Sequence, residues 1–215
     1  MQAGASAQPT SIVLKAAMAV SGFGMALWLT LHMLGNLGVF LGPEVLNGYA
    51  LKLRATGLVW PMRVVMLGLL GVHVACAVWT TRRGLAARPE RYRVILRGRA
   101  SSWGSRTMRV GGALLLMYVV YHVAQLYGLG QPDYRSGDVY HNVLGVLANP
   151  LHAVIYLVAT FVAALHLAHG LGSALISLGI VPGRRQRQIR AALRAWVWIL
   201  TVGFSVEVFA PVLLG

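Results

Sequence analysis

The dominant pattern along the chain is an alternation of long apolar runs with short polar stretches. Five runs, near residues 16–41, 60–81, 110–129, 151–180 and 195–214, are the candidate membrane helices. A helix needs roughly 20 apolar residues to cross a bilayer core about 30 Å thick, because the backbone finds no water there. The pattern therefore predicts an all-α membrane protein, with residues 1–215 forming one domain of five transmembrane helices.

The composition agrees with this class, since 57% of the 215 residues are hydrophobic and only 11% are charged. The first run contains His32 and Asn36 and exceeds the apolar region of a secretory signal, so we expect a retained helix. No loop is long enough to hold a soluble domain. Catalysis on a soluble substrate is therefore expected on another subunit.

Basic residues predict the orientation of the bundle. They cluster between the second and third runs and before the fifth, and cytoplasmic loops carry such an excess. We expect a cytoplasmic N-terminus, an outer C-terminus and a location in the inner (cytoplasmic) cell membrane. The net charge of +14 is then explained by topology and anionic lipid, without nucleic acid. The two clusters comprise Arg82, Arg83, Arg88, Arg91, Arg93, Arg97, Arg99, Arg106 and Arg109, and Arg184, Arg185, Arg187, Arg190 and Arg194.

Four histidines carry the candidate chemistry. Each of the first four apolar runs contains one deeply placed histidine: His32, His73, His122 and His166. Ionisable residues are costly within a bilayer and therefore indicate function. Neutral imidazole is an axial ligand of electron-transfer haem, and two bis-histidine haems require four ligands. The count predicts two haems held by these side chains.

Cysteine usage narrows the cofactor type. The single Cys76 excludes a disulfide within the chain and an iron-sulfur cluster held by this chain alone. There is also no C-x-x-C-H motif for covalent haem attachment. The predicted haems are therefore b-type.

Depth along the helices sorts the four histidines only in part. At 1.5 Å per residue, His32 and His122 lie about 20 to 25 Å from the nearest inner basic residue, and His73 about 13 Å. This spacing favours an outer pair of His32 and His122. By elimination, His166 would pair with His73. Depth alone does not prove this second pair, because Pro182 obscures where the fourth helix ends and therefore how deep His166 lies.

Two segments carry a family resemblance: His32-Met33-Leu34-Gly35-Asn36 with the following Gly42-Pro43-Glu44-Val45-Leu46-Asn47, and His166-Leu167-Ala168-His169-Gly170-Leu171-Gly172-Ser173. They resemble the cytochrome b subunit of succinate dehydrogenases and fumarate reductases, in the form with one five-helix anchor and two haems. Short matches around positions 73 and 122 occur in the same order. The resemblance covers nearly the whole chain.

The resemblance implies that His32 and His122 hold the distal haem, and that His73 and His166 hold the proximal haem beside the iron-sulfur subunit. It implies a flavoprotein subunit and an iron-sulfur subunit as partners, and a membrane quinone as the electron-transfer substrate. Menaquinone is the expected quinone, and a higher oligomer of the complex is also expected. Some related fumarate reductases carry a glutamate two residues before the fourth-helix ligand. Ala164 stands there, so we expect that proton route to be missing.

A quinone site near the distal haem would draw on outward polar groups. The candidates are Asn36, Trp60, Arg63 and Gln125, with Glu44 as the group that exchanges protons with quinone. The alternatives are that Glu44 only caps the outer loop and that Trp60 belongs to an interfacial aromatic belt.

His169 lies one turn beyond His166 and is expected to form a hydrogen bond to a haem propionate or a backbone carbonyl; the alternative is that it replaces His166 as a ligand. His141 and His152 are expected to be structural. Two other functions stay open: the diheme anchor of another respiratory dehydrogenase, and a haem-free anchor or transporter whose histidines relay protons or bind substrate.

Overall fold

The computed structural model of the protein describes residues 11–86, 103–180 and 185–215. These ranges contain helices and turns and no strand. The elements are α1 (Ser11–Asn36), a 3-10 turn (Leu37–Leu41), α2 (Pro43–Ala55), α3 (Val59–Ala86), α4 (Trp103–Leu126), α5 (Val139–Ala148), α6 (Pro150–Ser177), α7 (Gln186–Val208) and α8 (Ala210–Leu213).

Five of the described segments are long and apolar enough to cross a membrane. They are Ser11–Leu41, Val59–Ala86, Thr107–Leu126, Pro150–Ser177 and Gln186–Val208. The prediction of an all-helical chain with five such helices is confirmed for this part of the protein. The last helix begins at Gln186 instead of near residue 195, because its first turns are arginine-rich and lack an apolar signal.

Two short helices that the apolar pattern did not predict, α2 and α5, lie in the connections at one end of the bundle. The side chain of Asp138 caps α5 by accepting a hydrogen bond from the backbone N–H of His141 at 3.0 Å. Asn47 of α2 donates to the same Asp138 carboxylate at 2.9 Å and accepts from the backbone N–H of Tyr140 at 3.0 Å. These bonds join the two connections into one cap.

Helices α1 and α6 form the centre of the bundle. The backbone of α1 packs against α3, α6 and α7, and α6 also packs against α4. Ala26, Leu171 and Val197 form a buried cluster where α1, α6 and α7 meet. Many outward apolar side chains are exposed, such as Leu67 at 69% and Met117 at 67%. Exposure of this kind is expected of surfaces that face lipid.

The two ends of the bundle differ in charge. We call the end that holds α2, α5 and α8 the capped end, and the opposite end the arginine end. Arg82, Arg109, Arg187 and Arg190 lie in helical turns at the arginine end. Part of the predicted basic loops falls in residues 87–102 and 181–184, outside the described residues. The assignment of this end to the cytoplasm stays a prediction.

Candidate functional site

The structure brings the four intramembrane histidines together as two facing pairs. His32 of α1 and His122 of α4 lie near the capped end, with ring centroids 5.9 Å apart and ring planes at 78°. Phe204 of α7 lies 6.1 Å from the His32 ring, and Tyr118 stacks on His122 at 5.8 Å. We call these two histidines the outer pair.

The second pair lies closer to the arginine end. His73 of α3 and His166 of α6 have ring centroids 6.3 Å apart and planes at 62°. Two glycines flank them, because a Cβ at Gly22 would lie 3.2 Å from the His73 ring and one at Gly112 would lie 3.5 Å from the His166 ring. We call His73 and His166 the inner pair.

Two helices give the same spacing between the pairs. Gly22, beside His73, precedes His32 by ten residues on α1, and Gly112, beside His166, precedes His122 by ten residues on α4. At 1.5 Å per residue, both helices place the pairs about 15 Å apart along the bundle. The histidines therefore form two separate sites, one above the other.

In the described part of the chain, hydrogen bonds engage one ring nitrogen of His73 and leave the other free. Its Nδ1 lies 3.1 Å from the backbone carbonyl of Met18 and 3.3 Å from the hydroxyl of Ser21. A carbonyl oxygen only accepts, so Nδ1 carries the proton and Nε2 keeps its lone pair. A metal-binding histidine typically donates its other N–H in this way.

His122 is held through a chain of side chains. Its Nδ1 lies 3.0 Å from the hydroxyl of Tyr156, and that hydroxyl donates to Oε1 of Gln125 at 3.1 Å. Gln125 in turn donates from Nε2 to the hydroxyl of Tyr121 at 2.8 Å, and its Nε2 lies 3.4 Å from Nδ1 of His152. Gln125 is only 3% exposed, so this network is internal.

The other two histidines have fewer partners. Nε2 of His32 lies 3.4 Å from the side-chain nitrogen of Asn36, so the lone pair of this nitrogen accepts a hydrogen bond from Asn36. Nδ1 of His166 is buried and has no hydrogen-bond partner in the described part of the chain. Each of the four histidines is half-buried.

The spacing within each pair fits two imidazoles on opposite sides of one iron. An imidazole nitrogen lies about 2 Å from a bound metal and the ring centre about 1 Å behind it, so the two centres should be about 6 Å apart. In the described residues, α1 and α4 do not pack closely along their lengths, nor do α3 and α6. The paired side chains therefore reach across a gap between helices.

A metal held by protein side chains alone has less support. The described residues contain no cluster of three or more His, Cys, Asp or Glu side chains that could hold an ion. A haem needs only two axial ligands from the protein, because its porphyrin occupies the other positions. Two pairs of histidines therefore fit two haems.

The predicted quinone residues are only partly brought together. Asn36 and Gln125 lie beside the outer pair, as described above. Glu44 is exposed in the first turn of α2, and Arg63 lies 5.3 Å from the ring of Trp60, which is 69% exposed. Among the described residues, no hydrogen bond or ring contact joins these three side chains to a histidine pair.

Three further histidines lie outside the two pairs. His169 lies close enough to His166 to interact electrostatically with it. His141 donates from Nε2 to the backbone carbonyl of Asp133 at 3.0 Å in the cap, which is a structural contact. His152 meets Gln125 near the start of α6.

Glu207 of α7 was not among the predicted residues. It is 8% exposed, its Oε1 has no hydrogen-bond partner in the described chain, and its carboxyl group is within hydrogen-bonding reach of Asn36. It also lies near enough to Tyr118 to interact electrostatically. The sequence contained a signal for it, because Glu207 is the one acidic residue within the five described segments that could span a membrane.

A comparison with protein families gives one match. The family model for the succinate dehydrogenase/fumarate reductase transmembrane subunit matches residues 86–206. This match covers more than half of the chain and includes α4, α5, α6 and all but the end of α7. No curated protein and no solved structure matches the chain.

Proposed function

Because this chain belongs to the succinate dehydrogenase/fumarate reductase transmembrane subunit family, we propose that it is the diheme anchor of a succinate:quinone oxidoreductase. In this role it conducts electrons between the iron-sulfur subunit and membrane quinone. The observation that best supports the proposal is that the four histidines face each other in two pairs, whose ring centroids are 5.9 and 6.3 Å apart. Four helices supply one ligand each.

The chain's own contribution is to position the axial ligands. His32 and His122 would hold the distal haem, and His73 and His166 the proximal one. The Met18 carbonyl orients His73, and the Tyr156 hydroxyl orients His122. Haem iron, when bound, supplies one-electron oxidation and reduction. His169, next to the inner pair, remains the candidate contact for a haem propionate.

The arginine end is the proposed docking face for the iron-sulfur subunit, which binds the flavoprotein subunit in turn. The arginines of the helical turns there would face the cytoplasm by the positive-inside rule. The inner pair is the pair nearer that end. Electrons from the partner would therefore reach the site held by His73 and His166 before the outer site. The complex is proposed to lie in the cytoplasmic membrane.

Quinone is proposed to bind near the outer pair, close to the capped end. Asn36 and Gln125 offer polar groups beside His32 and His122. Trp60 and Arg63 offer an exposed aromatic and cationic surface, and Glu44 a carboxyl group for proton exchange with the medium. Menaquinone is the proposed type.

Purification through a tag on this chain tests the proposal. We expect the flavoprotein and iron-sulfur subunits to copurify, and a pyridine hemochrome assay to give two haems b per anchor. A complex with those subunits but without haem would contradict the diheme assignment. Copurification with subunits of a different dehydrogenase, or a colourless protein without partners, would instead support one of the two alternative functions.

A further inference from the structure

We propose that Tyr156 is a positioning residue that fixes the tautomer of His122 and thereby lowers the reduction potential of the outer haem. The proposal rests on the proposed diheme function. Its basis is the pair of distances at one hydroxyl group, 3.0 Å to Nδ1 of His122 and 3.1 Å to Oε1 of Gln125.

A phenol has one proton to donate. Oε1 of Gln125 is an amide oxygen and only accepts, so the hydroxyl proton of Tyr156 is used there. The Tyr156 oxygen must then accept from His122, which places a proton on Nδ1. The lone pair of His122 is left on Nε2, as an axial ligand requires.

The Gln125 amide is itself fixed. Its Nε2 donates to Tyr121 at 2.8 Å and lies 3.4 Å from Nδ1 of His152, while its backbone carbonyl accepts from the side chain of Gln131 at 2.7 Å. A reversed amide would turn Oε1 toward Nδ1 of His152 and Nε2 toward Tyr156. In the structure Oε1 faces Tyr156 and Nε2 faces Tyr121 and His152, and this orientation of Gln125 sets the direction of the Tyr156 hydroxyl.

The two sites differ in how their ligands are held. At the inner pair a backbone carbonyl accepts from His73, whereas Nδ1 of His166 has no partner in the described chain. At the outer pair a side chain, Tyr156, performs this task for His122. A hydrogen bond from Nδ1–H makes the imidazole a stronger electron donor, which stabilises oxidised iron. Loss of the bond should therefore raise the reduction potential of the outer site.

The ring of Tyr156 packs on His122 independently of its hydroxyl, with centroids 5.7 Å apart. A Tyr156→Phe substitution keeps this packing and removes only the oxygen. Tyr118 provides a matched control, because its ring also packs on His122, at 5.8 Å. In the described chain, its hydroxyl makes no hydrogen bond to that histidine.

The test is a spectroelectrochemical titration of the purified complex, with the low-spin electron paramagnetic resonance signals as a second readout. We expect Tyr156→Phe to retain two haems, to shift the outer midpoint upward and to alter the outer signal alone. Tyr118→Phe should leave both midpoints in place. Unshifted midpoints in a Tyr156→Phe complex that holds two haems would overturn the proposal.

A second variant covers the case in which Tyr156→Phe loses the outer haem. Gln125→Leu keeps the phenol but removes the acceptor of its proton, so the Tyr156 oxygen becomes a weaker acceptor for the Nδ1–H of His122. An upward shift of the outer midpoint supports the proposal, and no shift overturns it. A wild-type complex without haem would overturn the proposed function as well, whereas unshifted midpoints would overturn only the role of Tyr156.

Discussion

Gly22 of α1 lies directly against the imidazole of His73 on α3. A Cβ at position 22 would come within 3.2 Å of Cε1 and 3.5 Å of Nδ1 of that ring. The missing side chain lets His73 approach α1 closely enough to reach the Met18 carbonyl and the Ser21 hydroxyl. The orientation of one inner ligand therefore depends on a glycine of the neighbouring helix.

We expect Gly22→Ala to reduce the haem content of the inner site. The added methyl group must displace His73, and such overpacking typically costs about 1 to 3 kcal/mol. Gly68→Ala is the matched control, since a Cβ at that membrane position meets no atom within 4 Å. Reduced-minus-oxidised spectra of the purified variants measure the effect. Equal spectra for the two variants would contradict the close fit at His73.

Asp138 is expected to stabilise the cap. Its pKa is lowered by the hydrogen bond from the backbone N–H of His141 and, to a smaller extent, by the side chain of Asn47. Asp138→Ala should therefore lower the Tm of the purified complex at neutral pH. Asp133→Ala is the control, because Asp133 is an exposed acid of the same connection.

The effect of Asp138 should depend on pH with a defined sign. A carboxyl group whose folded pKa is lowered stabilises the fold above its unfolded pKa of about 4, and this contribution disappears as the pH falls through the lowered value. The Tm difference between wild type and Asp138→Ala should therefore shrink in acid. A difference that grows on acidification would contradict the role of the ionised carboxylate.

Glu44→Gln tests the proposed proton exchange with quinone. Glu44 is exposed at the capped end, and in the described residues no hydrogen bond joins it to either histidine pair, so its loss should leave both haem spectra unchanged. We expect slower quinone reduction by succinate, with normal transfer from succinate to an artificial electron acceptor at the iron-sulfur subunit. If quinone reduction proceeds at the wild-type rate, Glu44 only caps the outer loop, and Glu207 becomes the stronger candidate for proton exchange with quinone.

The pattern of apolar residues predicted the elements of this fold that a lipid bilayer requires. Runs of apolar residues are needed to cross a bilayer, so the five spanning helices were visible in the sequence. Helices α2 and α5 were not, because they are shorter than a membrane span and are held by polar bonds such as that between Asn47 and Asp138. Depth along the helices favoured His32 with His122 but left His166 uncertain.

The partners of the ligands were beyond prediction from one sequence. Tyr156 and Gln125 meet across two helices, and their contact depends on the rotation of α4 against α6, which the apolar pattern does not specify. Met18 contributes only its backbone carbonyl. Every residue has this group, so the sequence does not indicate which carbonyl accepts from His73. Glu207 is different, since an acid within an apolar run is itself a functional signal.

The most direct test of the diheme assignment is haem quantification in the purified complex, by pyridine hemochrome assay and dithionite-reduced spectra, for the wild type, His32→Ala and His166→Ala. We expect two haems b in the wild type and one in each variant, with His32→Ala losing the outer haem and His166→Ala the inner one. Haem absent from the wild type, or unchanged in both variants, would contradict it.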